Sequence, residues 1–159
     1  MAEAPPTTSR SDRATIIVDT REQEAYSFPA ARVETVRRAL SAGDYSLDGY
    51  ETSVAIERKT LEDYVNSVIH ARERFMREVE TLATYDLACV AVEATFDDVA
   101  SHRYRSRAHP NAVVGATMAI IVSHGVPVFF CGGRQLARRF VEDLLCRYHR
   151  KVQREVQRS

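Results

Sequence analysis

The chain is 159 residues long, the size of one ordinary domain with room for a real core. Hydrophobic residues make up 45% and charged residues 28%, a globular balance. The 22 basic and 22 acidic side chains leave a formal net charge of zero, which argues against a basic nucleic-acid coat, an acidic tail or a polybasic membrane binder.

That zero hides a sorting. Residues 1–100 hold 11 Lys and Arg against 19 Asp and Glu, a balance of −8, whereas residues 101–159 hold 11 against 3, a balance of +8. No apolar run reaches membrane-spanning length. The opening MAEAPPTTSRSDR lacks the apolar centre of a signal peptide, so a cytoplasmic protein is expected, without a membrane partner. Cys89, Cys131 and Cys146 have no CxxC spacing and lie in apolar surroundings, reading as reduced, buried thiols. The histidines lack zinc-ligand spacing and there is no GxSxG, so a zinc site or a serine hydrolase has little support.

In chain order, residues 1–13 are Pro, Ser, Thr and charge and are expected to be a disordered leader, with one domain over residues 14–159. Ala14 to Val18 is a β-branched run that predicts a buried strand ending at Asp19. Residues 20–31, with Pro29, read as loop, and Val33 to Leu40 as a second strand. Ser41 to Asp44 is a turn, and Tyr45 to Leu47 begins a third strand. Asp48-Gly49 signals a hairpin that returns as a strand over Ser53 to Lys59. From Thr60 the period becomes helical: Leu61, Tyr64, Val65, Val68, Phe75, Met76, Val79 and Leu82 fall on one stripe, predicting one helix over about 60–84.

Leu87 to Val92 reads as a buried strand ending at Glu93, and 97–109 as a polar, Arg-rich loop. Pro110 suits the first position of a helix stopped by Gly125. Val126 to Phe130 predicts a strand. Gly132-Gly133 leads into a last helix with the stripe Leu136, Ala137, Phe140, Val141, Leu144, Leu145, Tyr148 and Val152. The alternation predicts an α/β fold, a mixed central sheet flanked by helices on both faces.

The chemistry concentrates in Val54-Ala55-Ile56-Glu57-Arg58-Lys59. Alternate strand residues share a face, so Glu57 and Lys59 point one way and Arg58 the other, with Ile56 and Val54. A carboxylate beside a lysine suits metal-assisted phosphodiester hydrolysis: the acid holds a hard cation and the lysine orients or helps activate a water. Mg²⁺ fits best, with Mn²⁺ as a substitute. A lone Glu-x-Lys is common by chance, but lysine occurs only at 59 and 151 among 22 basic residues. Unlike arginine, lysine loses its proton when its pKa is lowered. The hairpin also brings Asp44 close to Glu57.

The ordered strings VDTRE (Val18 to Glu22), GDY (Gly43 to Tyr45) and ERKTLED (Glu57 to Asp63) resemble the nuclease domain of XPF-type structure-specific endonucleases, within the PD-(D/E)xK class. His109 to Ala112 and Gly125 to Pro127 resemble archaeal members, and the likeness spans about residues 14–150. It implies a restriction-endonuclease-like domain and a metal-dependent endonuclease acting on branched or flap DNA in repair or recombination. It also implies roles. Asp44 and Glu57 look like metal ligands, Asp19 a further carboxylate near the metal, and Lys59 the catalytic lysine. Arg21, Glu22, Arg58 and Asp63 match positions that support the site. Asp63 also stands three residues after Thr60, as a capping residue does, and Asp19 can equally cap the chain that follows it. Arg58 is expected to pair with a buried acid such as Asp63 or Glu22, and Glu93 to lie at the site edge.

Phosphate contacts are expected from Arg72 and Arg74, and from Arg103, Arg105, Arg107 and Asn111, where arginines lead into a helix N-terminus. The resemblance implies a homodimer through the C-terminal helices. Two departures from the family stand beside it: this chain is expected to stop soon after its last nuclease helix, which leaves room for a separate DNA-binding or helicase partner, and Pro29 with the polar stretch allows only a short turn where the family places a helix between its first two strands. The competing readings are a non-catalytic DNA-binding or dimerisation partner of another nuclease or helicase, and an α/β interaction module whose acids are surface charges.

Overall fold

The computed structural model describes residues 13–159. The leader expected over 1–13 lies outside the described residues except for Arg13. Its guanidinium donates to the Ala30 carbonyl at 2.6 Å and pairs with Glu34 at 3.0 Å. Six strands form one mixed sheet: β1 (Ala14–Val18), β2 (Val33–Arg37), β3 (Tyr45–Leu47), β4 (Val54–Thr60), β5 (Leu87–Glu93) and β6 (Val128–Phe130). Their spatial order is β2-β1-β3-β4-β5-β6. The central β1–β3 and β3–β4 pairs are antiparallel and the other three are parallel. The predicted hairpin is the centre of the sheet.

Helices cover both faces. Tyr26, Phe28 and α5 (Arg134–Arg158) pack on the side chains of Ile16, Val18, Tyr45, Leu47, Val54, Ile56, Cys89 and Ala91. The opposite face packs Ala55, Ala88, Val90 and Val92 against α1 (Leu61–Ile69), α2 (Arg72–Leu82), α3 (Phe96–Ala100) and α4 (Pro110–His124). The period-two split along β4 and β5 is the strand geometry itself. Cys89 and Cys146 are buried and Cys131 half-buried, and all three are free thiols. Among the described residues no helix is long and apolar enough to cross a membrane.

Several boundaries differ from the sequence reading. The second strand stops at Arg37 rather than Leu40, because its one neighbour, β1, ends at Val18 in register with Arg37. The helix expected over 60–84 is two helices. The His70 and Ala71 N–H groups both turn back to the Asn66 carbonyl, and Ala71 leaves the helical region at φ −112°, ψ 32°. The apolar stripe stays in phase across this break and no Gly or Pro marks it, so periodicity alone conceals it. Residues 97–109 are not all loop: Thr95 and Asp98 form a reciprocal capping box that starts α3. β6 begins at Val128 because the Val126 N–H caps α4 on Ile120 and Pro127 has no N–H. Between β1 and β2 the chain turns without a helix, as expected.

Gly43 is placed by close packing. Its φ is +78°, and a Cβ there would lie 2.9 Å from the Ala55 Cβ. Gly43→Ala combines left-handed strain with overpacking between β3 and β4 and is expected to destabilise the fold by about 2–4 kcal/mol in urea titration. An unchanged midpoint contradicts this packing.

Candidate active site

Strand parity assembles the site. Ala14, Ile16 and Val18 point toward α5, so Asp19 faces the other side; the same alternation turns Asp44 away from Tyr45, and Glu57 and Lys59 away from Ile56. Tyr45 pairs with Ile56, so Asp44 stands across from Glu57 one step on. The Asp19 N–H donates to the Asp44 carbonyl at 2.8 Å and the Asp44 N–H to the Ile56 carbonyl at 2.9 Å, which ties the end of β1 and the start of β3 to β4.

Each carboxylate has a distinct environment. Asp19 is buried; its oxygens accept from Arg21 Nε at 2.9 Å and from the Leu40 N–H at 2.9 Å. Burial pushes its pKa up, but these hydrogen bonds and the Arg21 charge outweigh it and hold Asp19 below its ordinary value. Asp44 is half-buried, and its Oδ2 accepts from the Arg58 N–H at 2.7 Å. Burial, then the charges of Glu22 and Glu78, raise it to about 6. Glu57 is only 6% exposed, and no donor reaches its Oε2. Burial, then Asp44 and Glu78, hold it well above the ordinary carboxylate range. Lys59 Nζ lies 3.6 Å from Glu57 Oε1 and 5.1 Å from the centre of the Phe75 ring.

Arg58 lies on the opposite face, as parity predicts. It is buried, bonded to Glu22 Oε2 at 3.0 Å and to Glu93 Oε1 at 2.8 Å. Burial opposes the charge of Glu22, but Arg58 prevails and lowers its pKa. Glu93 therefore belongs to this network, where it also accepts from the Tyr26 hydroxyl at 2.6 Å, and not to the site edge. Asp63 does not reach Arg58 either: it is exposed on the first turn of α1, with its N–H bonded to Thr60 Oγ1 at 3.2 Å. The helix start requires that placement.

A cleft of about 390 Å³ opens beside the carboxylates, lined by Asp19, Arg21, Gly43, Asp44, Arg74, Arg77 and Glu78, among others. Arg72, Arg74 and Arg77 line an adjoining groove. Arg77 and Glu78 are absent from the sequence reading; Arg77, three residues from Arg74 on a helix, was legible as its neighbour on one side. Arg103 is bonded to Asp97 at 2.6 Å and Asp98 at 3.1 Å. Arg105, Arg107 and Asn111 are exposed, but the Asn111 N–H is taken by His109 Nδ1 at 3.1 Å, so the start of α4 is partly capped by its own chain. A second cleft of about 440 Å³, lined by Arg32, His149 and Arg150 among others, contains none of these carboxylates.

Among the described residues no three His, Cys, Asp or Glu side chains already stand as a preformed metal site. The donor set nevertheless fits a hard divalent cation: it is all oxygen, mutually repelling, and includes a buried Glu57 oxygen with no donor. Asp44 and Glu57 are the oxygens in a position to hold it, whereas Asp19 is engaged by Arg21.

The crowding sets a pH dependence. Because Asp44 and Glu57 have raised pKa values in the fold, the native chain binds the extra protons, and stability falls as pH rises through about 6. Asp19 and Glu22 act oppositely, stabilising the fold above the ordinary carboxylate range and losing that effect only below it. In EDTA, urea unfolding is expected to show greater stability at about pH 5 than at about pH 7.5, by up to about 2 kcal/mol, and Asp44→Asn is expected to flatten the difference. Stability rising across that interval, unaltered by the substitution, contradicts the crowding.

A family model described as the ERCC4 domain matches residues 18–144, a span that begins at the end of β1 and contains all these acids. A protein of Methanocaldococcus jannaschii named for ATP-dependent RNA helicase activity is 33% identical over 115 residues, 72% of this chain and 13% of its own length. XPF from Aeropyrum pernix has a TM-score of 0.65 at 24% identity, covering 82% of this chain and 59% of that one. The same protein in complex with DNA gives 0.67 at 24% identity, covering 87% and 66%. The chain thus spans less than two thirds of the length of each of these relatives. Its six-stranded mixed sheet is the XPF nuclease-domain fold. With the matched span reaching from the VDTRE strand end through GDY and ERKTLED into α5, the chain belongs to the ERCC4 domain family.

Proposed function

We propose that the chain is a Mg²⁺-dependent endonuclease that hydrolyses DNA phosphodiesters at branched or flap structures, in repair or recombination. The observation that carries this is the meeting of Asp44, Glu57 and Lys59 on one face of the sheet, with Asp44 lining a cleft that Arg74 and Arg77 also line. The family and the DNA complex of the Aeropyrum pernix protein favour DNA as the substrate.

Asp44 and Glu57 hold the cation, with Mn²⁺ as a substitute for Mg²⁺. When bound, it supplies Lewis-acid stabilisation of the charge that builds on the phosphate. Lys59, anchored against Glu57 and the Phe75 ring, orients the attacking water in line with the leaving oxygen. Arg74 and Arg77, with Arg72 beside them, bind the flanking phosphates. Arg58 contributes as a positioning residue, since its N–H fixes the Asp44 carboxylate while its guanidinium anchors Glu22. Arg21 holds Asp19 at the edge of the cleft.

The purified chain with labelled flap, fork and duplex DNA is expected to cut the branched substrates with Mg²⁺ or Mn²⁺ and not in EDTA. Lys59→Ala and Asp44→Asn are expected to lower the rate by about 10²–10⁴-fold while leaving the fold intact by circular dichroism. Binding without cutting in either metal transfers the chain to the non-catalytic reading.

A homodimer accompanies this function. β6 is an edge strand with Phe129 exposed, its ring 4.8 Å from that of Phe140, and Leu136 on α5 and Met118, Ile121 and Val122 on α4 are exposed as well. Exposed apolar side chains on an edge strand and on the helices of both faces favour a second copy. Sedimentation at micromolar concentration is expected to show a dimer that Leu136→Arg converts to monomer; a monomeric wild-type chain refutes the pairing. The helicase-named relative favours a separate helicase or DNA-binding partner.

A further inference from the structure

Glu78 has no place in the sequence motifs, yet α2 carries it to them. It lies one turn beyond Arg74 and three residues after Phe75, the ring that supports the Lys59 ammonium. Its Oε1 faces the Gly43 N–H at 3.4 Å, and its side chain lines the cleft beside Asp44. Gly43 and Asp44 are adjacent, and Asp44 stands across from Glu57, so carboxylates from β4, from the turn before β3 and from α2 converge. Glu57 is more than nine-tenths buried, and its Oε2 receives no hydrogen bond. Asp44 stands opposite it across the strand pair, and Glu78 lies beside Gly43 on the Asp44 side. Lys59 pairs with the other oxygen of Glu57, Arg21 is committed to Asp19 and the Leu40 carbonyl, and Arg74 and Arg77 line the cleft without an ion pair to Glu57. A buried carboxylate oxygen without a donor, next to two other acids, is satisfied only by a proton or a cation.

We propose that Glu78 is a ligand of the divalent-cation centre, closing from α2 the carboxylate set that Asp44 and Glu57 begin on the sheet. This rests on the metal-dependent reading above and deepens it. A hard cation takes several oxygen ligands from different directions. Glu57 on β4 and Asp44 just before β3 supply them from the sheet, and Glu78 on α2 supplies them from the helix layer packed on that face.

Mn²⁺ binding to the full chain without DNA, read by the paramagnetic resonance signal of the free ion, tests this. Wild type and Glu80→Gln, an exposed position on the same helix, are expected to bind equally, and Asp44→Asn to lose binding. Glu78→Gln is expected to weaken binding by about tenfold or more. In EDTA, Glu78→Gln and Glu78→Ala are expected to melt at or above the wild-type temperature, because each removes a repelling charge, and Mn²⁺ is expected to raise their melting temperature less than it raises wild type's. Wild-type affinity in Glu78→Gln together with lost binding in Asp44→Asn overturns the assignment and leaves the metal reading standing. A wild-type chain that binds no Mn²⁺ overturns both. Destabilisation of both Glu78 variants in EDTA identifies a structural carboxylate and also overturns it.

Discussion

Neighbouring side chains on a strand must leave on opposite faces, and in β4 this constraint divides three consecutive charged residues between two environments. Glu57 and Lys59 go to the face that carries Asp44, and Arg58 goes under Tyr26 to meet Glu22 and Glu93. Arg58 links the two, because its backbone N–H holds Asp44 on the cleft side while its guanidinium is locked on the other. A buried ion bridge of this kind contributes little net stability but fixes geometry. Here it ties the ends of β4 and β5 to the chain leaving β1. The acids that face the cleft are set on that frame.

The frame explains why the site can hold unfavourable charge. Glu57 sits where burial and two neighbouring carboxylates oppose its ionisation, and the close packing of Gly43 on Ala55 keeps Asp44 beside it. The cost is borne by the sheet around it, whose buried strands carry the two hydrophobic layers. Crowded, raised carboxylates of this kind are a feature of functional sites, and a cation of the kind proposed above would relieve their repulsion.

The sorted charge resolves differently from its appearance along the chain. Much of the basic surplus in residues 101–159 is engaged within the fold: Arg103 with Asp97 and Asp98, Arg138 with buried Glu142, Arg139 with Asp143, and Arg134 with Glu93. The cations that line the cleft, Arg21, Arg74 and Arg77, come from the acidic half. Linear charge balance reports how many charges a segment carries, whereas ion pairing across the fold determines which are available to a ligand.

The sequence by itself determined the strands, most of the helices, the central hairpin with Asp44 near Glu57, and the faces on which Glu57, Lys59 and Arg58 lie. These follow from local covalent geometry: a period of two in strands, turn chemistry at Asp48-Gly49, and caps at Pro110 and Gly125. The break at His70-Ala71 was not legible, because the apolar stripe continues in phase through it. The sequence reading offered Asp63 or Glu22 as the partner of Arg58, and placed Glu93 at the site. Tertiary structure alone decided that Arg58 pairs with Glu22 and Glu93, that Asp63 faces solvent, and that Glu78, 21 positions after Glu57, joins the acids. The Arg58 pairing depends on how the chain leaving β1 folds over one face of the sheet, and the places of Asp63 and Glu78 on how α1 and α2 pack on the other; no period along the chain records the distance between residues that packing brings together.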